Sequence, residues 1–295
     1  YKDENIAQCA RTAVDETGMG VYEDKLTKHK VKVLGALLTS LEGKSVGLIE
    51  EDAERKIRKY AKPVGVVGAL TPVTNPTATP ASNALAILKG RNAVIFGPHP
   101  RAKESARVVC GFMRAGLKAV GAPEDLVLWV EEPTLPLSQE LMRQVDLVVA
   151  TGGPGVVNAA YSSGTPAYGV GAGNAIPIVA EDADVADAAK KVHLSKTFDN
   201  ATSCSSENSV IIQEELWDAM LDAFRELGGY LCSEEEKTKL EAWMWVPNKK
   251  GKIAINPKVV AVSAKRIADD AGLDVPADTN MLMVACDDPH AQTRW

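Results

Sequence analysis

The chain has 295 residues, of which 45% are hydrophobic and 24% charged, and its net charge is −6. These values are those of an ordinary globular protein, long enough for two domains. The acidic balance excludes a general affinity for nucleic acids, because no basic surplus offsets phosphate charge. No apolar stretch is long enough to span a bilayer and no signal peptide is visible, so no membrane partner is expected.

The five cysteines are odd in number, widely spaced and without a CxxC pair. The four histidines do not cluster with them, so no metal site is expected. Free thiols fit a reducing compartment, and the sequence therefore predicts a cytoplasmic location. The chain begins without Met and stops soon after an apparent strand, which suggests a protein cut at both ends, with part of the C-terminal region absent.

In the first 40 residues the apolar spacing predicts helices. From there to residue 179, short apolar segments alternate with helical ones. The predicted strands cover residues 63–70, 92–96, 126–130, 146–150 and 175–179. The predicted helices between them begin near residues 81, 102, 138 and 156. This alternation predicts right-handed crossover units and a parallel sheet with helices on both faces.

Three unusual loops follow strands of the predicted sheet. They hold Asn75, His99 and Gly152. Because a parallel sheet binds ligands beyond the carboxyl ends of its strands, one rim of this sheet is the expected binding site.

The composition changes after residue 182, and a second α/β domain is predicted. Its helices are expected at residues 184–191, 217–227, 234–243 and 259–271, and a last strand at 279–285. The predicted division is therefore a first domain at residues 1–192 and a second at residues 193–295.

Cys204 stands in a run of small polar residues that extends from Phe198 to Asn208. Small neighbours leave a thiol accessible, and a nucleophilic cysteine needs such access. A reactive thiol and a quiet, partly buried one are equally consistent with this pattern. Glu207 could act as a base, but a nearby carboxylate opposes thiolate formation, so an outward-facing or structural role is expected for it.

Each of the other motifs has two interpretations. The Gly152–Gly153 loop is a tight turn or a phosphate site at a helix N-terminus, and it does not match GxGxxG. Asn75 before a proline is a turn former or an oxyanion donor. The His99 loop with Arg101 is a solvated helix start or a cationic cradle for a nucleotide. The glycine cluster at 169–174 is a flexible connection or a surface for a flat ligand.

Taken together, these motifs resemble the aldehyde dehydrogenase superfamily, and specifically its CoA-acylating branch. The match runs in order and in register over roughly residues 45–285. Its segments are residues 63–67, 71–76, 98–103, 150–155, 169–174 and 198–204. The resemblance implies an α/β fold with a Rossmann-like parallel-sheet cofactor domain and a second α/β catalytic domain.

The resemblance also implies roles for residues. Cys204 would attack an aldehyde to give a thiohemiacetal, whose oxyanion Asn75 and the Cys204 N–H would hold. Hydride would then pass to NAD or NADP, and a thioester would remain on Cys204. The implied cofactor-binding residues are Thr71, Pro72, Pro98, His99, Pro100, Arg101, Thr151, Gly152, Gly153, Gly171, Ala172 and Gly173. A homo-oligomer is also implied.

One departure from the family pattern decides the expected subclass. Hydrolytic members carry a glutamate that activates water, and here Gly169 stands in its place. The acyl group is therefore expected to pass to CoA. The hydroxyl groups around Cys204 favour a polar aldehyde such as sulfoacetaldehyde over acetaldehyde or propionaldehyde. The alternatives are a hydrolytic enzyme with another base, or a truncated nucleotide-binding domain without catalysis.

Overall fold

The computed structural model describes residues 2–171, 173–248 and 251–286. By its internal contacts the chain divides into two compact units. The first unit comprises Tyr1–Gly18 with Tyr22–Ala172, and the second comprises Met19–Val21 with Gly173–Trp295. The predicted domain boundary between residues 192 and 193 stays a prediction.

A five-stranded parallel sheet forms the centre of the first unit, with strand order β5-β4-β3-β6-β7. Its strands are β3 (Val66–Thr71), β4 (Ala93–Pro98), β5 (Val127–Trp129), β6 (Leu147–Thr151) and β7 (Ala167–Val170). The strands β1 (Gly47–Asp52) and β2 (Ile57–Ala61) form an additional antiparallel hairpin outside this sheet. The sequence pattern did not predict these two strands individually. The predicted Rossmann-like sheet is thus confirmed.

Helices cover both faces of this sheet: α4 (Ala78–Lys89) and α5 (Lys103–Ala119) lie on one face, and α6 (Leu135–Gln144) and α7 (Pro154–Tyr161) on the other. The first unit also contains α1 (Asp3–Thr17), α2 (Tyr22–Thr27) and α3 (Leu38–Ser40). Neighbouring residues of a strand point to opposite faces. Accordingly, Ala69 of β3 joins the apolar cluster made with α4 and α5, and Leu70 joins the cluster made with α6 and α7.

The start of β3 requires a glycine. Gly65 has φ of +119°, and a Cβ atom there would collide with the carboxylate of Asp146. That carboxylate accepts the Val66 N–H at 2.7 Å. The close approach therefore joins the beginnings of β3 and β6, two strands that are neighbours in the sheet but distant in sequence.

The predicted strand at residues 175–179 does not belong to the main sheet, and this expectation was wrong. Its place at the edge is taken by β7, while β8 (Ile178–Val179) pairs with β9 (Ile211–Ile212) in the second unit. An edge strand with one solvated face carries a weak apolar signal. In β7, Tyr168 is 68% exposed and Val170 is 47% exposed, so the sequence of this strand lacks the continuous apolar run of a buried strand.

The second unit contains three two-stranded sheets and four helices in its described part. Its helices are α8 (Val185–Thr197), α9 (Trp217–Glu226), α10 (Glu234–Met244) and α11 (Ala264–Ala271), and its remaining strands are β10 (Gly229–Leu231), β11 (Trp245–Pro247), β12 (Ile253–Ile255) and β13 (Met281–Met283). The last helix is shorter than predicted, because Ser263 caps its start. Gly272 ends it with φ of +73°, as expected for a C-terminal cap.

Candidate active site

One rim of the five-stranded sheet collects the three unusual loops. Thr71, Pro98 and Thr151 are the last residues of the adjacent strands β3, β4 and β6. The chain moves outward from β3 to β4 and β5, then returns to β6 on the other side of β3. Such a reversal of strand order opens a crevice at the carboxyl ends, where α/β sheets bind their ligands.

The glycine loop after β6 leads directly into a helix. Gly153 is the residue before α7, and no side chain caps this helix start. A Cβ atom at Gly152 would lie 2.7 Å from Val156 Cγ1, and the Gly152 N–H donates to the Val170 carbonyl. The backbone N–H groups at the start of α7 are therefore of the kind that binds phosphate.

The loop after β4 is held by internal partners. Arg101 donates through its guanidinium to the Thr17 carbonyl at 3.1 Å, and its backbone N–H donates to His99 Nδ1. At the start of α5, the Glu16 carboxylate accepts the Glu104 and Ser105 N–H groups. Part of the hydrogen-bonding capacity of this loop thus serves the fold. A nucleotide-binding role for Pro98 to Arg101 stays a prediction.

The loop that holds Asn75 rests on buried cationic side chains from the N-terminal helices. Lys28 Nζ donates to Asn75 Oδ1 at 2.7 Å, and Lys25 Nζ to the Thr74 carbonyl at 3.4 Å. His29 Nε2 lies 2.9 Å from Thr77 Oγ1. Burial, with the charges of Lys25 and Lys28, lowers the pKa of His29 to about 4. The sequence pattern did not indicate these residues, because a Lys-rich helix is typical of a solvated surface.

Cys204 lies on an exposed loop of the second unit, shortly after a stretch of unusual backbone. Asp199, Asn200 and Ala201 have φ of +53°, +49° and +56°, the left-handed region that side chains disfavour. Asp199 is fully buried and holds this stretch: its carboxylate accepts the Val21 N–H at 2.8 Å and the Thr202 hydroxyl at 2.5 Å. Strain of this kind persists where surrounding contacts enforce it, often at functional sites.

Gly173, near the end of the glycine cluster, lies beside the Cys204 loop. A Cβ atom at Gly173 would stand 3.2 Å from the Cys204 carbonyl oxygen, and the Asn208 N–H donates to the Ala175 carbonyl. Two residue groups that the sequence singled out are thus together within the second unit. Gly171 belongs to the first unit, and Ala172 lies outside the described residues.

Two polar atoms just after Cys204 are buried without a hydrogen-bond partner among the described residues. They are Ser206 Oγ and Glu207 Oε2. One carboxylate oxygen of Glu207 therefore faces inward, and a structural role for this residue stays a prediction. Nearby, Lys196 donates to Asn208 Oδ1 at 2.9 Å. Burial lowers the pKa of Lys196, and the negative charge of Glu207 partly opposes that shift.

At Gly169 the structure leaves no space for a side chain. A Cβ atom there would lie 2.6 Å from Val157 Cγ1 and 2.8 Å from Tyr161 Cε2. The Gly169 N–H also donates to the Tyr161 hydroxyl at 3.0 Å. A glutamate at this position would require the side chains of Val157 and Tyr161 to shift.

Within the described residues, no three His, Cys, Asp or Glu side chains form a group that could hold a metal ion. The same part of the chain has no helix with the length and apolar character needed to cross a bilayer.

Residues 3–229 match the model of the aldehyde dehydrogenase family. The chain belongs to this family. Sulfoacetaldehyde dehydrogenase from Acholeplasma sp. is 61% identical over 96% of this chain and 58% of its own length. Sulfoacetaldehyde dehydrogenase (acylating) from Bilophila wadsworthia is 56% identical, over 96% of this chain and 61% of its own length. The chain therefore spans about 60% of the length of these family members.

A solved structure of another family member has the same fold over most of this chain. It is Rhodopseudomonas palustris propionaldehyde dehydrogenase with bound propionyl-CoA, with a TM-score of 0.80 and 32% identity. The match covers 94% of this chain and 61% of that structure. The α/β fold of this family, which the sequence predicted, is thereby confirmed.

Proposed function

We propose that the protein oxidises a small aldehyde on Cys204, with NAD or NADP as hydride acceptor, and transfers the acyl group to CoA. The observation that carries this proposal is the setting of Cys204. Of the five cysteines, all of them within the described residues, it alone is exposed, and its loop is anchored by the buried Asp199. A thiol that must attack a substrate needs such access and a fixed loop.

The chemistry of each step follows from the residues. The Cys204 thiolate adds to the aldehyde carbon, and the carbonyl oxygen becomes an oxyanion that the Asn75 amide and the Cys204 N–H stabilise. A bound nicotinamide would supply the acceptor for the hydride of that carbon, and the oxidised carbon would remain on Cys204 as a thioester. The CoA thiolate then attacks the thioester, which releases acyl-CoA and restores the Cys204 thiolate.

Two observations support CoA over water as the acyl acceptor. Gly169, which stands where hydrolytic members have their glutamate, has no space for a side chain. One relative is named an acylating enzyme, and the R. palustris structure contains propionyl-CoA. The residues that we propose for the cofactor are those of the rim, Thr71, Pro72, Pro98 to Arg101 and Thr151 to Gly153, and, from the family resemblance, Gly171, Ala172 and Gly173. NAD and NADP remain equal candidates.

Sulfoacetaldehyde is the aldehyde we propose, because both relatives compared above carry its name. Fewer hydroxyl groups than the sequence suggested are available to a sulfonate, since the Thr202 hydroxyl binds Asp199 and Ser206 is buried. Ser203 and Ser205 remain as candidates to bind a sulfonate. Acetaldehyde and propionaldehyde are the alternatives. The five free cysteines support a cytoplasmic location, and a homo-oligomer is part of the proposal.

The test is an assay of the whole protein as its gene encodes it, with sulfoacetaldehyde, acetaldehyde and propionaldehyde, each with NAD and NADP. We expect sustained cofactor reduction over many turnovers only when both aldehyde and CoA are present, and an acyl-CoA product. Intact mass should show an acyl adduct that is absent from Cys204→Ser. Equal reduction without CoA, with free acid as product, would mean a hydrolytic enzyme. No adduct on a well-folded protein would favour the nucleotide-binding alternative.

A further inference from the structure

An oxyanion donor must present the correct end of its side chain. The carboxamide of Asn75 has a donor end, Nδ2, and an acceptor end, Oδ1, of almost the same shape. Only Nδ2 can stabilise an oxyanion, and Oδ1 turned toward the substrate would repel it. Some other group must therefore select the orientation of this amide.

Lys28 meets that requirement. Its ammonium group donates to Asn75 Oδ1 at 2.7 Å, and Lys28 itself is only 6% exposed. An ammonium group has donors and no acceptor. The reversed amide would place Nδ2 against these donors, so the chemistry of the pair fixes Oδ1 toward Lys28 and Nδ2 away from it. In this orientation Nδ2 donates a long hydrogen bond, 3.5 Å, to Thr74 Oγ1. The bond involves a charged donor, which makes it stronger than an ordinary amide hydrogen bond.

The surrounding helix holds Lys28 in place. Lys25, only 3% exposed, donates to the Thr74 carbonyl, and His29 bonds to Thr77. Three residues of one helical segment thus hold three residues of the Asn75 loop. At Lys28 the segment changes from an α-helix to a π-helix, Lys28–Leu37. A π-helix is rare and occurs frequently at functional sites.

We propose that Lys28 is a positioning residue that turns the Asn75 carboxamide so that Nδ2 faces the oxyanion. Its hydrogen bond to Oδ1 also polarises the amide, which strengthens Nδ2 as a donor. This inference rests on the proposed function, in which Asn75 is an oxyanion donor. It differs from a purely structural role in one respect: the effect of Lys28 on the reaction passes through the Asn75 side chain.

The test is a double-mutant cycle in the whole protein, with Lys28→Met, Asn75→Ala and the double variant. The measured quantity is the rate of the first burst of cofactor reduction at saturating aldehyde and cofactor. We expect Asn75→Ala to slow this burst by about 100-fold. Lys28→Met should slow it by about tenfold, with little change in KM. In the Asn75→Ala background, Lys28→Met should change the rate by less than about twofold, because the group through which Lys28 acts is gone.

The outcomes separate this inference from the proposed function. If Asn75→Ala leaves the burst unchanged, the oxyanion role of Asn75 is wrong, and the role of Lys28 falls with it. If Asn75→Ala slows the burst but Lys28→Met has no effect, or the same effect in both backgrounds, only the Lys28 inference is overturned. The matched control is Lys25→Met, which removes a buried lysine from the Thr74 carbonyl. Any effect of this variant should be equal in both backgrounds.

A conservative variant keeps the inference testable if the Lys28→Met protein folds poorly. Lys28→Arg retains N–H donors for Asn75 Oδ1 and, like lysine, has no acceptor, and it should recover at least half of the activity lost in Lys28→Met on a logarithmic scale. Its thermal unfolding temperature, measured alongside, shows whether the fold is intact. A folded Lys28→Arg protein as slow as Lys28→Met would contradict the inference, because a side chain with donors alone should keep the amide turned.

Discussion

Val157 occupies the space that a side chain at Gly169 would need, with its Cγ1 atom 2.6 Å from where a Cβ would stand. Val157 lies on α7 and Gly169 on the edge strand β7, two elements that follow one another in the chain. Their close approach depends on the glycine. The residue that the family resemblance connects with the choice of acyl acceptor is therefore also a packing residue.

Gly169→Ala should destabilise the protein. The added methyl group must displace Val157, a branched side chain on a helix, and overpacking of this kind costs about 1–3 kcal/mol. The measurement is urea-induced unfolding. Gly171→Ala is the matched control, since a Cβ atom at Gly171 would meet only Val157 Cγ2, at an ordinary 4.0 Å. Equal midpoints for the two variants would contradict this explanation of Gly169.

Cys204 should react with iodoacetamide before the three buried cysteines. It is exposed, whereas Cys9, Cys110 and Cys232 are buried. Burial raises the pKa of Cys9 and Cys110 to about 12 and that of Cys232 to about 11, so their reactive thiolates are scarce near pH 8. The check is mass spectrometry of peptides after brief alkylation of the folded protein at that pH.

Urea-unfolded protein provides the control for this labelling, because all five cysteines should then react at similar rates. If Cys9 or Cys110 is labelled in the folded protein as quickly as Cys204, the burial described above is wrong. A Cys204→Ser protein should lose the fast phase of alkylation and keep the slow ones.

The sequence predicted the main sheet because its central strands are continuous apolar runs, buried on both faces. Val67, Val94 and Val148 illustrate this, since each is at most 1% exposed. Edge strand β7 was missed for the opposite reason, and residues 175–179 were assigned to the wrong sheet. An apolar segment indicates a strand, but its partner depends on contacts between segments that no local pattern records.

Some residues of the candidate site could likewise be predicted from the sequence and others could not. Cys204 and Asn75 could be selected from sequence, because thiol and amide chemistry suit the proposed reaction. The residues that hold their loops in place could not be selected from the sequence. Lys28 looks like one of several lysines on a solvated helix, and its burial depends on how that helix packs. Asp199 looks like a turn residue, yet it is fully buried.

Glu207→Gln should lower the pKa of Lys196 further. Burial already lowers that pKa, and the negative charge of Glu207 opposes the shift. Glutamine removes the charge at nearly constant shape, so the charged form of Lys196 loses stabilisation. The check is the pH dependence of Lys196 acetylation by acetic anhydride, followed by peptide mass. An unchanged midpoint would show that the Glu207 carboxylate does not act on Lys196.

Asp199→Asn should weaken the loop that carries Cys204. The buried carboxylate accepts the Val21 N–H and the Thr202 hydroxyl, and an amide offers only one oxygen to these two donors. Hydrogen bonds to a charged group each contribute about 1.5–3 kcal/mol, so we expect a loss of that order. Urea unfolding measures it, and Asp187→Asn, at an exposed ion pair with Lys191, is the matched control with little expected change.

His29 should make stability depend on pH. Its pKa is lowered to about 4 in the folded protein, from an ordinary value of 6.5. Between these values the unfolded chain binds a proton that the folded protein does not, so this contribution is complete above pH 6.5 and is lost as the pH falls toward 4. At 1.36 kcal/mol per pKa unit, the full loss is about 3 kcal/mol, and about 2 kcal/mol is lost by pH 5.

The measurement that isolates His29 is urea unfolding at pH 7.5 and pH 5, for the protein and for His29→Gln. Carboxylates contribute to the pH dependence of both proteins, so the difference between the two pH effects belongs to position 29. Glutamine can still bond to Thr77 Oγ1 but cannot bind a proton. We expect the variant to be less stable at pH 7.5 and to lose about 2 kcal/mol less on acidification. Equal losses would mean that His29 is protonated in the folded state, which its burial beside Lys25 and Lys28 opposes.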